Sequence, residues 1–319
     1  MKGKSKIVVK VPHRITGFFE IVDSKNGIKL ENPEQIGSRG AGFTLNAMGT
    51  TTIILNKIIS SDTNIKEFEI YINSIKVNEE AETTNFIFNY FRRLVNYPFS
   101  VKIFHRFDLP VGCGYGASGS GALGTSFGLN KLLELNLSNY ECGKIAHIAE
   151  VVNKTGLGTV CGQLAAGLGM VAESGYPGKY QHIPFPNGIY VICTSFGKIS
   201  TPDFLSNQTL HSIINIPGRE ALRKLKKNPN IKNFAELSWE FVQKTEILEI
   251  LHLSKIRELI VQLNELNIIG ASLNQLGKSI FAICRKRDIK DVITIFNNYQ
   301  EEEEKVFNLH IEKKGVKIN

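Results

Sequence analysis

At 319 residues and 42 % hydrophobic, the chain is long enough to bury a sizeable core or to form two modest domains. Thirty-eight Lys and Arg against 30 Asp and Glu leave a net charge of +8, which favours anionic small molecules; no zinc spacing, RNP-like aromatic motif or dense basic run accompanies it, which argues against nucleic acid as the partner. The longest apolar stretches, such as 164–172, are about half the ~20 residues of a membrane span, no secretion signal is visible, and five cysteines without a Cys-x-x-Cys point to a reducing cytoplasm.

Along the chain, β-branched or aromatic runs at 6–11, 50–59, 67–77 and 99–107 read as strands. Phe86, Tyr90, Phe91 and Leu94 give 83–96 helical spacing between them. A glycine-rich loop follows, then a helical pattern at 122–135. A second helix at 138–152 has Asn139 as its candidate cap and Cys142, Ile145, Ala149 and Val152 along one face, with His147 and Glu150 on the opposite flank. Turns at 175–178 and 184–188 mark the expected domain boundary, giving segments 1–183 and 184–319. Beyond it, 189–194 and 279–284 read as strands, and 218–227, 234–250, 253–266 and 289–304 as helices, with Glu301 to Glu304 on a solvated face. The order describes an α+β layer structure.

The loop at 109–124 carries most of the chemical information. Gly112, Gly114, Gly116, Gly119 and Gly121 let backbone approach a large anion, and a helix N-terminus follows to supply free amides and a positive dipole end. It is neither a Walker A loop nor a good dinucleotide fingerprint. The arrangement suits a nucleotide triphosphate; a ligand-free turn at a strand-to-helix junction is the competing reading.

Pro110, Gly112, Gly114, Gly116 and Ser118 follow the order of the second motif of the GHMP kinases, which this stretch resembles. Segments 11–19 (Val-Pro-His-Arg-Ile-Thr-Gly-Phe-Phe), 37–42 (Gly-Ser-Arg-Gly-Ala-Gly), 155–164 (Thr-Gly-Leu-Gly-Thr-Val-Cys-Gly-Gln-Leu) and 276–282 (Leu-Gly-Lys-Ser-Ile-Phe-Ala) are similar to the archaeal pantoate kinase branch of that family. The resemblance spans nearly the whole chain. It implies a GHMP kinase fold, with a ribosomal-protein-S5-like N-terminal domain, a ferredoxin-like C-terminal domain and the active site between them. It also implies a kinase that uses ATP and Mg²⁺ to phosphorylate the primary hydroxyl of pantoate, for coenzyme A synthesis. Pantothenate, which carries the same hydroxyl, is the alternative acceptor. A degenerate GHMP protein that only binds its ligand and an S5-like RNA-binding module are further alternatives, and a homodimer is left open as the assembly.

The resemblance places Pro110, Gly112, Gly114, Gly116, Ala117, Ser118, Gly119 and Ser120 on the nucleotide. Ser118 and Glu150 become the Mg²⁺ ligands, with Ser120 as the substitute if the loop is shifted; a helix-cap serine and a solvated carboxylate are the plainer readings. Thr159 stands where many family members place an Asp, and a threonine cannot serve as a general base. For an acidic acceptor, His13, Arg14 and Arg39 are the candidate clamps, Arg being able to hold a carboxylate bidentately, although each arginine could equally be tied up in a structural ion pair. Lys278, in the third family-like motif at 270–278, faces substrate, phosphates or solvent.

Overall fold

The computed structural model describes residues 5–57, 68–300 and 305–319. One long antiparallel pair organises its first half. β1 (Ser5–Val22) lies against β4 (Gly37–Lys57), from Ser5 opposite Leu55 to Val22 opposite Gly37, and the small hairpin β2 (Ser24–Lys25) and β3 (Ile28–Lys29) joins them. The alternating runs predicted at 6–11 and 50–57 are only one end of this pair. From Val11 onward β1 is covered on both faces, so alternation disappears, and Pro12 sits at a register shift between Pro12 and Arg14, where a bulge tolerates the missing amide.

The chain continues through β5 (Phe68–Ile72), β6 (Ile75–Lys76), α1 (Glu82–Arg92), β7 (Phe99–Phe107), α2 (Ala117–Leu132), α3 (Asn139–Val152), α4 (Thr159–Ala165), β8 (Leu168–Val171) and β9 (Tyr180–His182). The expected single strand at 67–77 is a hairpin, because Asn73 and Ser74 take φ of 47° and 73° and reverse the chain. In α3 the cap is Ser138 rather than Asn139. Ser138 Oγ accepts the Glu141 amide at 3.2 Å, and Glu141 Oε2 accepts the Ser138 amide at 2.7 Å.

The second half comprises β10 (Ile189–Ser195), α5 (Thr201–Ser206), α6 (Gln208–Lys227), α7 (Ile231–Thr245), α8 (Ile247–Ile250), α9 (Ser254–Glu265), β11 (Gly270–Asn274), β12 (Ser279–Arg285), α10 (Ile289–Asn297), β13 (Phe307–Leu309) and β14 (Lys317–Ile318). α6 starts well before the expected 218: Asn207 Oδ1 caps it at Thr209 and Leu210, and Pro217, which masks the pattern in the sequence, lies inside the helix. The predicted helix at 234–250 is two helices, since Glu246 adopts a left-handed conformation between α7 and α8. Positions 58–59 and 67 and the acidic run at 301–304 lie outside the described residues.

Among the described residues, β1 and β4 to β9 form with β14 one eight-stranded sheet, and β10 to β13 form a second of four strands in the order β11-β12-β10-β13. The two cores divide the long strands crosswise. Ile7, Val9 and Val11 pack with Leu123, Phe127 and Ile145 under α2 and α3, whereas Ile15, Phe18 and Phe43 pack with Phe234, Phe241 and Phe281 of the second half. Phe43 meets Phe234 and Phe281 edge-on, at centroid distances of 5.8 and 5.6 Å. The last strand, β14, returns to pair with β1 at Val9 and Lys10, so residues on both sides of position 183 build the first sheet. The far half of β1 is thereby shared, and any site along it is walled by both halves.

Candidate active site

β7 ends at Phe107, and the chain turns through 109–116 into α2. Gly112, Gly114 and Gly116 have φ of 80°, 87° and 68°. Gly116 is the N-cap of α2, and its left-handed conformation together with Thr159 Cγ2, which a Cβ there would meet at 2.7 Å, leaves room for glycine alone. No side chain caps α2 and no acidic residue occupies its first turn, so nothing in that turn offsets the positive end of the helix dipole. The loop is braced from both halves. Tyr115 O accepts the Arg14 amide and His13 Nδ1, each at 3.0 Å, Gln163 Nε2 donates to Gly116 O at 3.0 Å, and Ser279 Oγ donates to Cys113 O at 2.6 Å.

Ser118, Glu150 and Thr159 converge on this turn from α2, α3 and the start of α4. A Cβ on Gly119 would lie 3.1 Å from Thr159 Cγ2 and 3.2 Å from Glu150 Oε2. Glu150 is buried, and burial pushes its carboxyl up to about 7, against the pull of the neighbouring Ser118 hydroxyl. His147, on the same flank, is buried as well, its Nε2 3.0 Å from Ile36 O, so this side of α3 is no solvent face.

Buried polar atoms are ordinarily hydrogen-bonded. Among the described residues eight buried side-chain atoms have no partner, and six of them belong here: His13 Nε2, Arg14 Nη1, Ser118 Oγ, Glu150 Oε1, Gln163 Oε1 and Asn274 Nδ2. Unsatisfied donors and acceptors gathered around one glycine turn describe a site shaped for a polar ligand. Two pockets flank it. A cavity of about 170 Å³ opens beside Ala117 and Ser118, walled by Ile72, Phe107, Val111 and residues 80–84, and a smaller one of about 40 Å³ is walled by Arg14, Thr16, Ser38, Leu157, Thr159 and Leu276.

The other sequence candidates line neither pocket or are turned away from the glycine turn. Arg39 donates to Glu20 Oε2 through Nη2 at 2.7 Å, and Arg219 reaches Glu20 Oε1 at 2.9 Å, so the ion-pair alternative describes Arg39 and it lines neither pocket. His13 lies beneath the loop, its ring 5.9 Å from that of Phe107, and lines neither pocket. Ser120 is fully buried and donates to Ala117 O at 3.0 Å, on the side of α2 that faces Gly49. Lys278 is half-buried beside Gly197. Three neighbours were not singled out in the sequence: Gln163, although it lies in the family-like segment 155–164, Asn274, and Lys198, whose stem packs against Gly112.

The donor set fits Mg²⁺. That ion takes oxygen ligands, one or two of them carboxylates, and leaves its other positions to water and phosphates. Ser118 Oγ and Glu150 Oε1 are unpartnered oxygens that meet this need, one of them a carboxylate, with Gln163 Oε1 a third beside Gly119, and among the described residues no cluster of three or more His, Cys, Asp or Glu forms a protein-only metal cage.

Burial also holds two imidazoles neutral, pushing His13 and His105 down to about 4 from 6.5. His105 sits between Thr51 Oγ1 and Thr84 Oγ1, at 3.0 and 3.1 Å. At pH above 6.5 neither folded nor unfolded imidazole is charged; as pH falls from 6.5 to 4 the unfolded chain takes up protons that the folded one refuses, so stability is lost. The loss is expected to reach roughly 3 kcal/mol per histidine. Thermal melts across that range check it, and His105→Gln should flatten the acid slope.

The family model described as GHMP kinases N terminal domain matches residues 82–169, which include the loop, Ser118, Glu150 and Thr159. The pantoate kinase of Methanocaldococcus jannaschii is 32 % identical over 287 residues, covering 90 % of this chain and 96 % of that one. The chain belongs to the GHMP kinase family, in its pantoate kinase branch. The pantoate kinase of Thermococcus kodakarensis is also 32 % identical, over 87 % of each chain. A solved structure described as a phosphotransferase related to the CoA biosynthesis pathway superposes with a TM-score of 0.83 at 27 % identity, over 99 % of both chains. The α+β architecture is thus the GHMP kinase fold, and the matched region includes the glycine turn at the head of α2. Among the described residues no helix is long and apolar enough to cross a membrane.

Proposed function

We propose that this GHMP kinase transfers the γ-phosphoryl group of ATP to the primary hydroxyl of pantoate, yielding 4-phosphopantoate for coenzyme A synthesis. The observation that carries the reading is the set of unpartnered buried atoms that runs from the phosphate loop to Arg14. ATP lays its phosphates along the amides of Gly112 to Ser118, with the nucleoside in the 170 Å³ cavity. Ser118 and Glu150 would hold Mg²⁺, whose charge would neutralise that of the phosphates. Pantoate occupies the opposite pocket, where Arg14 grips its carboxylate.

Positioning and electrostatics carry the reaction. The hydroxyl oxygen forms a bond to the γ-phosphorus while the bond from that phosphorus to the bridging oxygen breaks, its electron pair leaving on ADP. Thr159 walls the acceptor pocket but its hydroxyl accepts no proton at neutral pH, so the acceptor's proton passes to a phosphoryl oxygen. The buried position of Arg14, at the pocket wall, suits the nearby carboxylate of pantoate better than that of pantothenate, which lies across an amide. Five buried free cysteines suit a reducing cytoplasm. Coupled ADP release with pantoate, pantothenate, mevalonate and homoserine tests the assignment: pantoate should give the highest kcat/KM, and no turnover with either pantoate or pantothenate would refute it.

A further inference from the structure

We propose that the side-chain amide of Asn274 is a catalytic hydrogen-bond donor to the phosphoryl group during its transfer, a donor brought to the site by the second half of the chain. This inference rests on the phosphotransferase reading above. Asn274 ends β11 and is fully buried. Its Oδ1 accepts the Thr16 amide at 3.0 Å, and because a backbone N–H can only donate, that bond fixes which end of the side-chain amide is oxygen. The other end, Nδ2, holds two hydrogens and has no partner. It is aimed at the phosphate loop, since a Cβ on Gly114 would lie 3.1 Å from it.

The segment that presents this nitrogen is held firmly. The Gln275 amide donates to Thr16 O at 2.9 Å, Gln275 Nε2 donates to Gly17 O at 3.2 Å, and Ser279 Oγ is bonded to Cys113 O. The turn between β11 and β12 is thus wedged between β1, where Thr16 walls the acceptor pocket, and the loop that faces the triphosphate. A preorganised donor on that seam lies where the phosphoryl group passes from one substrate to the other. Such a donor stabilises charge on the equatorial oxygens without reorganising at the moment of reaction. Asn274 gives up and takes up no proton, and no bond to it forms or breaks. An anionic ligand oxygen is the acceptor that satisfies its amide; a carboxylate is already matched by Arg14, which has charge where Asn274 has none.

Asn274→Asp tests the assignment, because it is nearly isosteric and keeps an acceptor for the Thr16 amide, while it replaces the donor by a carboxyl that, when ionised, also repels phosphate; Asn274→Ala removes the donor without adding charge. With pantoate and ATP, kcat and kcat/KM are expected to fall together by about 10²-fold, the mark of an interaction made in the transition state. Lowering the pH from about 8 to about 5 protonates the new carboxyl and restores a donor, so the variant should recover relative to wild type. Asn274→Ala, which loses both bonds, should show no such recovery. Wild-type kinetics in Asn274→Asp overturn the proposal, as does a pH profile that parallels the alanine variant's, which would make Asn274 a strut between the halves. A rise in the KM for pantoate alone with kcat unchanged also overturns it, by placing the amide on the ground-state acceptor. Failure of the wild-type protein to phosphorylate either acid would sink the functional reading instead; the side-chain ¹⁵N signal of Asn274 should still shift with a non-hydrolysable ATP analogue and Mg²⁺, and an unmoved signal overturns the present proposal by itself.

Discussion

Glu150→Gln is expected to lower kcat about 10³-fold while leaving the melting temperature within a few degrees of wild type. The size of the effect follows from what the carboxylate does in a site whose catalysis is mainly electrostatic. Glu150 is a buried acid beside the glycine turn, and burial raises its carboxyl to about 7, so a nearby cation is what would hold it fully ionised at neutral pH. Glutamine keeps the volume, the helix and the contact with Gly119 and Gly156, but it cannot supply anionic charge to Mg²⁺. The fold should not suffer, because replacing a buried carboxyl that lacks an ion-pair partner removes a liability. ADP release titrated with Mg²⁺, beside thermal melts with and without the ion, checks both halves of the expectation. Near-normal kcat at saturating Mg²⁺ would remove Glu150 from the metal site.

What could be read in the sequence, and what could not, divides along contact distance. The phosphate loop, Ser118 and the helix carrying Glu150 are contiguous, and their glycine spacing and helical pattern suffice to describe them. The fate of the arginines is not local. Arg14 and Arg39 look alike in sequence, both beside glycine-rich motifs, yet Arg39 is paired with Glu20, which also meets Arg219 from the far end of the chain. No local pattern records that pairing. Gln163 and Asn274 were missed for the same reason: a neutral amide announces nothing until its partners, Gly116 and Pro12 for one and Thr16 for the other, are placed beside it. The long β1–β4 pair was half legible, since alternation marks a strand with one wet face and vanishes where Phe18 and Phe43 are covered from both sides.

The second large effect is expected at Arg14. Arg14→Lys should raise the KM for pantoate about 10²-fold, with the KM for ATP and kcat at saturating pantoate little changed. Arg14 is 4 % exposed, its guanidinium lies 5.9 Å from the centroid of the Tyr180 ring and against Gly162, and its Nη1 has no partner. The ring and the packed helix α4 hold the fork in one orientation, so the donors that a carboxylate needs are set before the acid arrives. Lysine keeps the charge but offers a single flexible ammonium, which neither stacks on Tyr180 nor matches a carboxylate with two parallel bonds. Pantothenate provides the internal control, since an amide stands where pantoate has its carboxylate. If Arg14 grips that carboxylate, Arg14→Lys should narrow the preference for pantoate over pantothenate mostly by weakening pantoate. Equal losses on both acceptors would mean that the guanidinium acts on the phosphoryl group common to both reactions, and Arg14 would then belong with the phosphate loop it borders.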